Sequence, residues 1–128
     1  MSDKDIKYAT AIAKDRDHNI EARLQIGCLE HNLVGGHVVS VVLSDRLTPG
    51  RIGLVYRIDN EEMQPRIMPV GTDLRSISLL GLEALELARA KRFRLELQPT
   101  GGPILFYDFD ITGADKAIKS VPCVNRRL

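Results

Sequence analysis

Residues 92–111 read RFRLELQPTGGPILFYDFDI, and this run decides what kind of fold the chain can join. Phe93, Leu95 and Leu97 alternate with Arg92, Arg94, Glu96 and Gln98, the period of two that turns one row of side chains inward and leaves the other in water. Thr100-Gly101-Gly102-Pro103 interrupts the pattern with turn residues. Beyond it Leu105, Tyr107, Phe109 and Ile111 make a second inward row. Two alternating strands on either side of a Gly-rich turn predict antiparallel β structure.

Working outward, residues 21–28 (EARLQIGC) set Ala22, Leu24, Ile26 and Cys28 against Glu21, Arg23, Gln25 and Gly27, again the signature of a half-buried strand. The β-branched run HVVSVVLS (37–44) suits a strand buried on both faces. RIGLVYRID (51–59) puts Ile52, Leu54, Tyr56 and Ile58 on one face and Arg57 with Asp59 on the other. Pro49-Gly50 between these two runs predicts a hairpin. After Gly81 the strong helix formers LEALELARAK predict one short helix at about residues 82–91. After Gly113, the spacing of Ala114, Ala117, Ile118 and Val121 predicts a second at 114–120, stopped by Pro122. The expected fold is mainly β, an antiparallel β-sandwich or curled sheet with two short helices, in a single domain spanning 1–128 whose first 19 residues form a less ordered segment.

At 128 residues with 44% hydrophobic composition, the chain is the size of one domain with its own core. Lys and Arg number 18 against 17 Asp and Glu, so no global field draws the protein to nucleic acid or to an anionic membrane surface. Aromatic residues are 5% and Trp is absent, which leaves no stacking platform for single strands. No stretch reaches the roughly 20 apolar residues of a membrane span. The polar start MSDKDIKYAT lacks the apolar centre of a signal peptide. Two locations stay open: cytoplasmic, or periplasmic after removal of a signal peptide.

Cys28 and Cys123 lie near opposite ends with no third Cys to compete, and they read as one bridge between the first predicted strand and the end of the last helix. Closing so long a loop would stabilise by about 4 to 5 kcal/mol in the chain-entropy account. Two separate buried thiols are the other reading. Cys28, His31, His37 and Cys123 supply zinc-ligand atoms, but the C-x2-H-x5-H spacing lacks the paired ligand couples of structural zinc sites, and no metal is expected. A Cys28 nucleophile with His31 as base needs an electropositive pocket that an inward strand position does not offer. Asp108 and Asp110 share a strand face and read as solvated carboxylates opposite the cations of RFRLE rather than as an acid/base pair. LVGGH (33–37) has two glycines but no Lys or Ser/Thr where a phosphate loop requires them.

In order and spacing, LQIGC, VYRIDN, ARAKRFRLELQPTGG and FDITGADKAIKSVPC resemble the VasI/TagO family of type VI secretion-associated proteins, and the ending is similar to that of invasion-associated locus B proteins. The resemblance covers roughly residues 20–123. It implies a periplasmic β-sandwich with one disulfide, acting as a non-enzymatic accessory protein of a bacterial envelope or secretion assembly. Cys28 and Cys123 match the paired cysteines, Tyr56, Arg57 and Asp59 match the Tyr-Arg-x-Asp strand, and Gly113 matches the Gly before the last helix. Gly27 stands where the family has an Arg.

The expectation is therefore a protein-binding module with no cofactor and no small-molecule substrate, and with neither nucleic acid nor inserted membrane among its partners. Its candidate binding face carries Tyr56, Arg57 and Asp59, with Arg66, Arg92 and Arg94 nearby; on residue types alone, Arg57 and Asp59 read as an exposed cross-strand ion pair. The competing expectation is a cytoplasmic inhibitor or adaptor with free thiols.

Overall fold

The computed structural model describes residues 8–15, 17–28 and 37–119. Among these the chain forms β1 (Tyr8–Lys14), β2 (Glu21–Cys28), β3 (His37–Leu43), β4 (Arg51–Ile58), β5 (Gln64–Pro69), β6 (Ser76–Ser78), α1 (Ala84–Ala88), β7 (Arg92–Gln98), β8 (Leu105–Asp110) and α2 (Ala114–Lys119). The strands make two antiparallel sheets, ordered β1-β2-β3-β6 and β5-β4-β7-β8, and neither closes into a barrel. The expected mainly β fold with two short helices is the fold observed.

Inward rows from both sheets meet in one apolar core. Leu24, Ile26 and Val41 come from the first sheet, and Leu54, Phe93 and Leu97 from the second, all nearly inaccessible to solvent. Rings stack along the second sheet: Tyr56 to Phe93 at 5.8 Å, Phe93 to Phe109 at 6.3 Å, Phe109 to Tyr107 at 6.0 Å between centroids. Each such contact adds about 0.5–1.5 kcal/mol beyond the area it buries. Helix α1, opened by the Glu83 side chain accepting from the Glu86 N–H at 2.8 Å, buries Ala84, Leu87 and Ala88 against β2 and β3. Helix α2 packs on β1 and β2 through Ala114, whereas Ala117 of the expected apolar stripe is exposed.

Three expectations are corrected. Residues 8–14 are strand β1, not part of a less ordered segment. Its inward residues are Ala9, Ala11 and Ala13, and alanine is depleted in strands, so the alternation was muted. Second, β3 and β4 are not a hairpin but lie in different sheets. Residues 44–50 are long enough to cross the roughly 10 Å between layers; Leu47 anchors the crossing in the core, and the Leu43 N–H donates to Arg75 O. Third, β3 is buried on one face only: Val39, Val41 and Leu43 are inside, Val38 and Val42 half-buried. Cys28 ends β2, the second strand, and pairs in register with His37; Cys123 and the bridge to it lie outside the described residues.

The edges β1 and β8 of the two sheets run side by side, and one buried carboxylate joins them. Asp15, 2% exposed, follows β1. Its Oδ1 accepts the Phe106 N–H of β8 at 2.8 Å, and its Oδ2 accepts the N–H groups of Asp17 (3.2 Å) and His18 (2.8 Å) and lies 2.8 Å from the His18 ring Nδ1. Next to it the buried Tyr107 hydroxyl donates to Ile20 O at 3.0 Å, tying the other end of the same turn to β8. Burial opposes ionisation of Asp15, but the Phe106 N–H, the His18 ring, the His18 N–H and the His18 charge outweigh it and hold the carboxyl below its ordinary value. For Tyr107, burial and then the charges of Asp15 and Asp45 push the phenol up, so it remains a donor.

Asp15→Ala should therefore lose about 2 kcal/mol in urea unfolding, because three part-buried N–H groups lose their acceptor, and Tyr107→Phe about 1 kcal/mol. A group whose native pKa is depressed contributes stability above its unfolded value, near 4, and loses it as pH falls through the native value. The stability gap between the native protein and Asp15→Asn should thus be widest at neutral pH and narrow below about pH 4. A gap independent of pH would show that Asp15 is not an ionised clamp.

Candidate functional site

The outward row of the second sheet is unusual for a solvated face. Register places Pro65, Val55, Glu96 and Phe106 side by side across β5-β4-β7-β8, with Ile67, Gly53 and Gln98 in the row on one side. On the other side Arg57, Arg94 and Asp108 are aligned. Phe106 is 54% exposed and Ile67 67%, and the exposed Met63 lies in the β4–β5 connection. Beyond β8 the β1–β2 turn rises as a wall, because Asp15 and Tyr107 hold it there. Floor and wall enclose an open cleft of about 480 Å³ whose lining includes Lys14, Asp17, Val55, Arg57, Met63 and Phe106.

Its charges are unevenly committed. Asp108 lies 3.2 Å from the Arg92 guanidinium and 3.8 Å from Arg94 Nε. Glu96 accepts from the Gln98 side-chain amide at 2.8 Å. Outside the cleft, Asp110 accepts from the Thr112 hydroxyl and N–H, which hold its carboxyl below the ordinary range. Arg57, by contrast, donates Nε to Glu61 O at 3.0 Å, and among the described residues no carboxylate lies within ion-pair reach of it. Among the described residues, the cleft lining offers no Ser, Thr, Cys or His.

The residues singled out from the sequence do not share one face. Tyr56 points inward, is buried and stacks on Phe93, with the Arg66 guanidinium 5.7 Å from its ring centroid. Arg57 points outward into the cleft, opposite Arg94. Asp59 lies just past β4 with φ 52°, and its Oδ1 accepts the N–H groups of Lys91 and Arg92, each at 2.9 Å. These donors, Arg92 before Lys91, hold its carboxyl below the ordinary range. The expected Arg57–Asp59 ion pair is therefore replaced by three backbone contacts, one from Arg57 and two to Asp59, because the strand ends at Ile58 and the chain turns. Asp108 pairs with the cations of β7 as the sequence implied. Of the zinc-type residues, His31 and Cys123 lie outside the described residues, and no group able to hold a metal ion occurs among those described.

Asp15, Val55 and Phe106 were missed. Asp15 carries a local signal, a carboxylate followed at two and three residues by backbone N–H groups in a polar run, the Asx-turn pattern. Its long-range bond to Phe106 has none.

Asp59→Ala should lower the melting temperature clearly and Asp59→Asn much less, since Asn keeps an acceptor and tolerates positive φ. Arg57→Glu should leave it nearly unchanged, as only an exposed contact to a carbonyl is lost. Equal effects of the two Asp59 variants would refute the turn role. No protein-family model, curated protein or solved structure matches the chain.

Proposed function

We propose that this domain is a non-enzymatic binding protein that holds another protein on the outward face of the β5-β4-β7-β8 sheet. The observation that carries the reading is that Phe106 and Ile67 are both exposed, with Val55, on one strand face that in a solvated antiparallel sheet is polar. Aromatic and Arg side chains are also the types enriched where protein interfaces concentrate their energy. The groups of the cleft suit contact better than bond-making: its two lining Tyr rings belong to the inward rows, and the Tyr107 hydroxyl is committed to Ile20.

The likeness to VasI/TagO proteins supports a partner within a bacterial envelope or secretion assembly, and with it a periplasmic location and a Cys28–Cys123 disulfide. Among the described residues no helix is long and apolar enough to cross a membrane.

The photocrosslinker p-benzoylphenylalanine at position 106 or 67, expressed in the bacterium that makes the protein, should give one discrete adduct. The same group at the exposed Leu80, outside this sheet, should give none. Adducts from Leu80 alone, or none from either face position, would sink the binding reading. Thiol labelling in denaturant should modify neither cysteine; two labelled thiols in freshly purified protein would move the domain to the cytoplasm.

A further inference from the structure

The cleft narrows the partner's chemistry further than the sheet face alone. On β4 and β7 the side chains of Arg57 and Arg94 stand directly opposite one another. Like charges so placed on adjacent strands repel, at a cost on the order of 0.2–1 kcal/mol. Asp108 offsets only part of this: it sits on the far side of Arg94 from Arg57 and divides its oxygens between Arg92 and Arg94. Arg57 has only the Glu61 carbonyl. Of the other carboxylates that line the cleft, Glu96 accepts from Gln98, Asp15 caps its turn, and Asp17 stands on the wall outside ion-pair reach of both arginines. Arg57 and Arg94 therefore face the cleft from adjacent strands, and Arg57 has no carboxylate partner among the described residues.

We propose that the cleft receives a carboxylate carried next to an apolar side chain in a segment of the partner protein. The carboxylate lies against Arg57 and Arg94, and the apolar side chain reaches past Glu96 to Phe106 in the next register row, walled by the β1–β2 turn. This rests on the outward face being the partner surface. A singly charged carboxylate fits better than a phosphate dianion, because Glu96 and Asp108 flank the arginines and repel a second negative charge. Phe106 lies in the register row next to the one that holds the arginines, so an anion without an attached hydrophobic group leaves Phe106 uncovered. The wall is set before binding by the Asp15 bonds, which lowers the ordering cost of the bound state.

The carboxylate can be a chain terminus or an acidic side chain, and three peptides separate these: N-acetyl-Leu-Leu with a free C-terminal carboxylate, the same dipeptide as its amide, and amidated N-acetyl-Leu-Glu-Leu. Each is titrated into the 15N-labelled full chain. The proposal expects saturable shifts at the amides of Val55, Arg94 and Phe106 with at least one acid-bearing peptide, and none with the neutral dipeptide. The first peptide alone assigns a chain terminus, the third alone an acidic side chain, and both together either source. Arg57→Gln with Arg94→Gln should weaken that binding about a hundredfold or more, the loss of two charge-assisted contacts, with the melting temperature held. Inorganic phosphate alone should not compete. Equal binding of the neutral dipeptide, displacement by phosphate, or shifts outside the cleft overturns the proposal. If crosslinking from position 106 succeeds while no peptide shifts these amides, the protein-binding reading stands and the carboxylate assignment falls; failure of both removes both.

Discussion

A buried carboxylate is tolerated only when donors replace the water it has lost, and in this fold that requirement joins the two sheets. Asp15 is sealed from solvent between β1 and β8, which belong to different ladders. Leaving it without the Phe106 N–H and the N–H groups of its own turn would cost several kcal/mol, so the arrangement that supplies them is the arrangement the chain keeps. A single side chain thus does what no backbone ladder does on this side of the sandwich. The Tyr107 hydroxyl reaching Ile20 O fixes the second point of the same turn, and two points determine an orientation where one does not.

The same contacts manage the sheet edges. An open edge strand offers unpaired N–H groups to any other chain, and at Phe106 that offer is taken up internally by Asp15. At the opposite edge β5 carries Pro65 and Pro69, which cannot donate. The prolines on one flank and the Asp15 bond on the other make both edges of the second sheet poorer templates for strand addition, while Phe106 and Ile67 lie exposed on its face.

How much of this was readable in the sequence depended on whether the deciding interaction was local. The strands with large inward residues, such as Phe93-Leu95-Leu97 and Leu105-Tyr107-Phe109, announce themselves because period two and burial coincide. Strand β1 does not, because alanines fill its inward row, and β5 does not, because prolines that suit an edge also read as breakers. The exchange of a hairpin for a crossing after β3 was invisible: Pro49-Gly50 specifies a bend, while the choice of sheet is made by Leu47 entering the core and by β6 taking the free edge of β3. The site was half legible. Arg57 was identified, but Asp59 was grouped with it as if the strand continued, Tyr56 was grouped with it by motif although alternation put it on the other face, and the cleft wall depends on a bond between residues 15 and 106 for which no local pattern exists.

Within Leu105-Phe106-Tyr107 three apolar or aromatic residues follow one another, and the pleat must send the middle one to the opposite face from its neighbours. The alternative phase would expose Leu105 and Phe109 and bury Asp108 and Asp110, so hydrophobicity already chooses the observed one. Tyr107 is therefore inside, where its hydroxyl has a defined acceptor, and the Phe106 ring is left on the surface. The clamp holds this phase against β1, and the phase delivers an aromatic ring to the row next to that of the opposed Arg57 and Arg94. Structural closure at the β1–β8 seam and an apolar, cation-rimmed surface next to it are two consequences of one register, so a change that loosens the seam also disassembles the cleft.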